Sequence, residues 1–358
     1  MSDKLRLPAE EAYASELAAL AVDDGDRRPP GWALSPRRVV TYLMGGQAQG
    51  TPITPKYVGD RRLIETAVAT LATDRALLLL GVPGTAKSWV SEHLAAAIAG
   101  DSTMVIQGTA GTDETQVRYG WNYAQLLAHG PSREALVPTP LMRAMEAGKL
   151  CRFEELTRMG SDVQDTLITV LSEKMMPIPE LNGAVYAQRG FNVIATANNR
   201  DKGVNELSSA LKRRFNVVVL PLPASADEEV AIVVKRVGEM AQSLDLPAPK
   251  NVAEEVARVV AIFRELRSGS TEDGKVALKS PSGGLSTAEA IGVMVGGISQ
   301  ATFFNDGRLT CETLASSMIG AVVKDPVQDR AVLGEYLETV LKKRRGFEGY
   351  YASLTGLI

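Results

Sequence analysis

Residues 76–88, ALLLLGVPGTAKS, decide the fold. Ala76–Leu80 is apolar without alternation, the pattern of a strand covered on both faces. Gly81–Ser88 follows as a glycine-rich loop ending in Lys-Ser, and Trp89–Ala99 reads as a helix. Strand, loop, Lys-Ser and helix in this order are the context of a phosphate-binding loop. A triphosphate needs several donors aimed at its β-phosphate. The N–H groups of a tight loop and the positive end of a helix supply them. Gly81 and Gly84 leave room for close approach, and Val82, Pro83, Thr85 and Ala86 complete the loop. Lys87 would neutralise the β- and γ-phosphates of ATP, and the Ser88 hydroxyl would ligate Mg²⁺. The general pattern has glycine before the lysine. Ala86 stands there instead, and an alanine at this point is expected to need negative φ, as in a first helical turn.

Outward from this loop, residues 56–222 alternate short apolar runs with helical stretches, the signature of an α/β fold with a five-stranded parallel sheet flanked by helices. Further strands are expected at Thr103–Gln107, Leu150–Phe153, Phe191–Ala195 and Asn216–Leu220. The run Leu150-Cys-Arg-Phe-Glu-Glu155 ends in two carboxylates. A phosphate loop that hydrolyses ATP needs an acid at a neighbouring strand end to hold the magnesium shell, and a second to activate water. Glu154 occupies the metal position, where Asp is usual, and Glu155 the base position. A glutamate for aspartate adds one methylene, so slow hydrolysis is expected. Phe191–Asn199 ends in polar amides, of which Asn198 is best placed to orient a lytic water and Asn199 is one residue off. Lys212-Arg213-Arg214 precedes the last strand and could reach a γ-phosphate on a neighbouring subunit.

Residues 1–55 form a helical lead-in, with helices expected at Ala9–Ala21 and after Ser35-Pro36, ended by Gly45-Gly46, and with 50–55 as a connector. Residues 223–358 read as an all-helical second domain, with helices over Asp227–Leu244, Val252–Arg267, Thr287–Phe304, Leu309–Val323 and Val327–Arg344. Ser225/Glu228, Asn251/Glu254 and Ser286/Glu289 have capping-box spacing. Between the third and fourth strands, Lys174–Arg189 reads as a hairpin about Asn182-Gly183.

Composition sets the outer bounds. Hydrophobic residues make up 45% and charged residues 23%, which excludes a disordered or fibrous chain. Lys+Arg is 39 against Asp+Glu 42, a net charge of −3, so nucleic acid is a disfavoured partner. Aromatics are only 5%, and Trp32, Trp89 and Trp121 are scattered rather than interleaved with basic residues. Cys151 and Cys311 lie far apart and read as small core residues, and His93 and His129 lack metal-ligand company. No apolar run reaches the ~20 residues that a membrane span needs. A charged N-terminus without an apolar signal core completes the expectation of a cytoplasmic protein.

The ordered motifs resemble those of the MoxR group of AAA+ ATPases. GVPGTAKS is similar to that group's GPPGTAKS, including its alanine before lysine. EELTR (Glu154–Arg158) is similar to DEINR, ATANN (Ala195–Asn199) to ATQNP, and ALKRRF (Ala210–Phe215) to ALLDRF. Val163–Lys174 resembles the helix before that group's pre-sensor hairpin. The resemblance covers roughly residues 56–305. EELTR and the long lead-in are similar to the YehL-like subgroup. The resemblance implies an AAA+ P-loop core over 56–222 and a helical lid over 223–358. It further implies that Lys87 and Ser88 bind nucleotide and magnesium, that Glu154 is the second magnesium ligand and that Glu155 is the general base. Asn198 would be sensor 1, Arg214 the finger acting in trans, and Arg158 a second interface arginine. Tyr57-Val58-Gly59 would lie near adenine. The family also implies a homo-oligomeric ring, usually hexameric, and a von Willebrand A-domain partner assisting maturation of a client protein. Insertions such as 108–138 and 174–189 would line or crown the pore. Two positions depart from the pattern. Arg213 replaces the Asp before the finger, and Ala288 falls where the sensor 2 arginine belongs, so either another basic group such as Lys279 takes over or lid motion is coupled more weakly to nucleotide.

Two functions follow from this reading. One is a ring ATPase that turns hydrolysis into remodelling of a client. The other is a nucleotide-dependent assembly switch, in which Ala86, Glu154 and Ala288 leave a site that binds ATP with negligible turnover. A nucleic-acid motor of the same fold is disfavoured by the acidic balance.

Overall fold

In the computed structural model, which describes residues 4–22, 24–198, 205–247, 249 and 251–358, the leucine run forms strand β1, Ala76–Gly81. It is an interior strand of a five-stranded parallel sheet with β2 (Val105–Gln107), β3 (Leu150–Glu154), β4 (Asn192–Asn198) and β5 (Phe215–Val219). The strand order is β5-β1-β4-β3-β2. Leu77 and Leu79 face one layer of core and Leu78 the other, the period of two that a strand imposes. Both layers are apolar, which is why the run does not alternate in sequence. In a parallel sheet all strands end on one edge. The register pairs Asn198 with Gly81 and Gln107 with Glu154, so the phosphate loop, the acids and the amide share that edge.

Met1–Val82 and Ala86–Pro221 form one compact unit, and Leu222–Ile358 a second, with which Pro83–Thr85 are grouped. In the first unit the lead-in contributes its own core. Leu20, Leu34, Val40, Tyr42 and Leu43 pack with Leu77, Leu79, Leu94 and Ile194. The helix expected over 9–21 is two, Ala9–Ala12 and Ala14–Ala21, broken at Tyr13. The break turns the Tyr13 ring edge-on to His93, with centroids 5.1 Å apart, and places it against the Lys56 ammonium at 4.2 Å. Lys56 is also ion-paired with Glu16, so a buried cation is compensated by a carboxylate and two ring faces. Ser35 caps Pro36–Met44 by accepting from Arg38 N, and Gly45 ends it at φ 83°. Thr51–Ile53, within the stretch expected as a plain connector, pairs with Gly46–Ala48 just before it in a small hairpin.

Two further hairpins extend from this unit. Tyr119–Trp121 pairs with Leu136–Pro138, and between them lies the helix Tyr123–His129, with no buried residue. Met175–Ile178 pairs with Gly183–Tyr186. Its turn is longer than the two-residue one that Asn182-Gly183 suggests. Pro179–Leu181 forms a 3₁₀ turn, Asn182 takes φ 47°, and Gly183 already belongs to the strand. The hairpins are joined: Arg118 Nη2 donates to Pro177 O at 2.6 Å and Tyr119 Oη to Glu180 Oε2 at 2.9 Å.

The second unit is helical among its described residues: Ala226–Ser243, Val252–Ser268, Thr287–Phe304, Cys311–Val322, Gln328–Thr339 and Glu348–Thr355. Of the three expected capping boxes, Ser286/Glu289 is complete. Ser225 caps Glu228 N, but Glu228 reaches back to Ala224 N, and Asn251 makes no side-chain cap. The helix expected over 327–344 stops at Thr339, and the final helix holds Tyr350 and Leu354 in the core. Buried carboxylates tie the bundle. Glu229 takes Arg264 at 3.0 Å and Arg267 at 2.7 Å, and Glu265 takes Tyr336 Oη at 2.7 Å and Arg344 at 3.0 Å. Hydrogen-bonded partners are what make such buried charges tolerable.

Candidate active site

The loop starts where β1 ends. Lys87 is buried and donates to the carbonyls of Gly81 and Val82 at 3.0 Å each. Gly84 takes φ 83°, which glycine adopts freely. Ala86 takes φ 62°, left-handed, so the expectation of negative φ is wrong. The chain makes its last loop reversal at residue 86, not inside the helix, which begins at Lys87. Ala86 is exposed, so its Cβ meets no wall, and the cost is the intrinsic one of an L-residue in this region, about 1 kcal/mol. Ala86→Gly removes that cost and adds glycine's chain entropy to the unfolded state. The expected net effect is a thermal midpoint higher by up to about 3 °C. Circular dichroism melting checks it, and a lower midpoint would reject the strain argument.

Ser88 Oγ donates to Glu154 Oε2 at 2.5 Å. The same oxygen takes Thr196 Oγ1 at 2.7 Å, while Oε1 takes Ser91 Oγ at 2.5 Å and Arg152 Nη2 at 2.8 Å. Burial pushes the Glu154 carboxyl upward, but the Arg152 charge and the three hydroxyl donors outweigh it and hold it below the usual carboxylate range. The side chain is therefore a fixed anion beside Ser88. A hydroxyl that donates its proton to Glu154 keeps its lone pairs for a cation.

Glu155 follows at φ 55°, turning the chain out of β3 into a 3₁₀ turn. Its N–H donates to Thr196 Oγ1 at 3.1 Å, and its carboxylate accepts from Asn198 Nδ2 at 3.1 and 3.0 Å. Arg158 Nε lies 3.6 Å from Glu155 Oε2. Glu154, Glu155, Asn198, Arg158, Lys87 and Ser88 thus share one corner of the sheet edge. Asn199 lies outside the described residues.

Arg214 is not in that corner. It precedes β5, whose Phe215 pairs with Ala76 at the start of β1, whereas the phosphate loop leaves from the end of β1. At ~3.3 Å per residue the two are separated by about the length of the strand. Its guanidinium donates to Ser172 Oγ and Ala210 O. Tyr57 is buried and Val58 exposed, on the segment whose Lys56 O accepts from Trp89 Nε1 at 2.8 Å. In the second unit, Ala288 lies exposed in the first turn of Thr287–Phe304, and Lys279 is paired with Glu335 at 3.0 Å. Cys151 is buried, its thiol pushed up by burial, and Cys311 is half-buried.

Four residues at the site were missed in the sequence. Thr196 joins the Glu154 carboxylate to the Glu155 backbone, and Ser91 and Arg152 hold Glu154. Gly108 N donates to Glu154 O at 2.7 Å, and a Cβ there would come within 2.4 Å of Glu155 O. Arg152 did carry a signal: a charge inside a strand covered on both faces must find a buried partner.

Among the described residues no three His, Cys, Asp or Glu side chains are grouped as a metal site. A hydroxyl, one carboxylate and substrate phosphates with water are, however, how Mg²⁺ is ordinarily held, so the residues present fit that ion.

Residues 76–215 match the family model of the AAA domain (dynein-related subfamily), and residues 227–352 that of the YehL-like AAA+ ATPase C-terminal domain. The chain is 42% identical to YehL of Escherichia coli (strain K12) over 354 residues, 97% of this chain and 96% of that protein. The chain belongs to the YehL-like AAA+ ATPases. A Staphylococcus aureus (strain USA300) protein is 26% identical to this YehL-like chain over 161 residues, 44% of this chain and 60% of that one. Among solved structures, NtrX from Brucella abortus in complex with ADP is similar at 13% identity and a TM-score of 0.49, covering 76% of this chain and 57% of that one. No helix among the described residues of the YehL-like chain is long and apolar enough to cross a membrane.

Proposed function

We propose that this YehL-like protein binds Mg²⁺–ATP at Gly81–Ser88 and hydrolyses it within a homo-oligomeric ring, coupling turnover to remodelling of a client protein. The observation that carries the reading is the convergence of Lys87, Ser88, Glu154, Glu155 and Asn198 on one end of the parallel sheet. Lys87 and Ser88 bind the phosphates, and Ser88 and Glu154 would hold a magnesium ion, whose contribution would be to neutralise charge on the transferred phosphoryl. Glu155 takes the proton of the attacking water. Asn198, donating to both Glu155 oxygens, keeps that carboxylate aimed and helps orient the water. Tyr57 and Val58 border the adenine. Arg214 lies at the strand end opposite the phosphate loop, which favours service to a neighbouring protomer's nucleotide, with Arg158 a second arginine at that interface.

The motifs' resemblance to the MoxR group supports a hexameric ring, a cytoplasmic location and a von Willebrand A-domain partner. Met176 is buried in the core, whereas Tyr186, Tyr123, Leu127 and Val137 are exposed on the joined hairpins and available to a client. The second reading, an assembly switch, draws on Glu154, whose two oxygens already accept four hydrogen bonds. Phosphate release and oligomer size, measured on the full chain with ATP plus Mg²⁺ and with ATP plus EDTA, separate the two. Magnesium-dependent turnover supports the ring ATPase. Nucleotide-driven assembly without phosphate release would replace it with the switch.

A further inference from the structure

The buried charge that this chemistry leaves unused is Arg152. It sits near the middle of β3 with its side chain 9% exposed. Its guanidinium donates four times: Nε to Ser91 Oγ at 3.0 Å, Nη1 to Ser102 O at 2.9 Å, and Nη2 to Ser88 O at 3.2 Å and Glu154 Oε1 at 2.8 Å. Three of these four partners are residues that hold or border the magnesium position. The fourth, Ser102, has its N–H taken by both carboxylate oxygens of Glu10 from the lead-in, at 3.1 Å each. The fork is thus anchored from behind.

We propose that Arg152 is a positioning residue for the magnesium carboxylate: with Ser91 it pins one oxygen of Glu154, so that the other stays on Ser88 and a glutamate can stand where an aspartate is usual. The argument is geometric. A glutamate has one more rotatable bond than an aspartate, and its carboxylate must be immobilised by something. Ser88 and Thr196 hold Oε2, whereas Oε1 would be unanchored without Ser91 and Arg152. Ser91 is one helical turn beyond Ser88, the spacing that puts both hydroxyls on one face toward β3. Stability alone is a poor reason for the arginine, since an apolar residue in a doubly covered strand usually serves as well as a buried ion pair.

The proposal rests on the reading of this corner as a Mg²⁺–ATP site, and the test separates the two. The full chain is titrated with the β,γ-imido analogue of ATP by calorimetry, in EDTA and then at rising Mg²⁺, for the wild type, Ser91→Ala, Arg152→Met and Arg152→Lys. Outer partners of metal ligands typically govern metal affinity by 10–100-fold. The magnesium concentration for half-saturation is therefore expected to rise about 10-fold or more in Arg152→Met and by a smaller factor in Ser91→Ala. Affinity in EDTA should stay at the wild-type value, and Arg152→Lys should recover part of the loss. A purely structural role would lower the melting temperature and leave the magnesium requirement alone. Should Arg152→Met fail to fold, Ser91→Ala decides, because it removes one hydroxyl and keeps the arginine. A wild-type magnesium requirement in Ser91→Ala overturns the proposal while the site reading stands. A wild-type protein whose nucleotide affinity ignores magnesium overturns both.

Discussion

Glu155→Gln will bind ATP as the wild type does and release phosphate about 10²–10⁴-fold more slowly, the usual contribution of a positioned general base. The substitution is close to isosteric. Asn198 now donates to both carboxylate oxygens, and a glutamine keeps one acceptor for it, so the turn after β3 has no reason to move. Glu155 N, which donates to Thr196 Oγ1, is unchanged, and with it the link to Glu154. Binding groups and base are different side chains, so affinity and turnover should separate cleanly. Calorimetric affinity together with single-turnover phosphate release measures both. Unchanged release would remove Glu155 from the base role, and lost affinity would mean that the turn had collapsed.

Arg214→Ala should be at least as inactive, by about 10³–10⁵-fold if the guanidinium acts on transition-state charge as such fingers do. The structure makes a sharper test possible than a rate alone. Arg214 stands at the start of β5 and the phosphate loop at the end of β1, so within one chain they are apart, and the proposed contact would have to be made across a protomer boundary. Mixing Arg214→Ala with Glu155→Gln, each inactive by itself, should then restore phosphate release. An interface with Glu155 from one variant and Arg214 from the other is intact, and random mixing in a closed ring makes roughly a quarter of the sites so. A mixture as silent as its components would place Arg214 outside the reaction. Its contacts with Ser172 and Ala210 would then be its whole purpose.

The interior strands were legible because they are covered on both faces and so appear as apolar runs, whereas the edge strands β2 and β5 leave Val105, Val217 and Val219 exposed. Ala76–Leu80 is the strand Ala76–Gly81 within a residue, and Phe191–Ala195 starts one residue early and stops three short of Asn198. Of the last three, Thr196 and Asn198 carry polar groups that serve the site, while Ala197 between them stays in the core, so hydrophobicity alone ended the strand too soon. Short local signals were readable too, such as Ser35-Pro36 and the Ser286/Glu289 box. What stayed hidden depended on partners distant in sequence. Tyr13 breaks its helix because of Tyr42, Lys56 and His93, none of which is near it in the chain. Arg152 was passed over in LCRFEE, and Ser91 and Ser102 are needed to explain it. Ala86 was misjudged because backbone sign at a loop-to-helix junction is set by where the loop must turn, not by the residue that fills it.

The two hairpins fastened by Arg118 and Tyr119 have a mechanical consequence. A lone two-stranded ribbon is a soft lever, and most of any push at its tip is lost in bending. Here the second ribbon braces the first through a carbonyl and a carboxylate, so a load applied at Tyr186 would be shared with the ribbon that carries the Tyr123–His129 helix instead of being lost in bending.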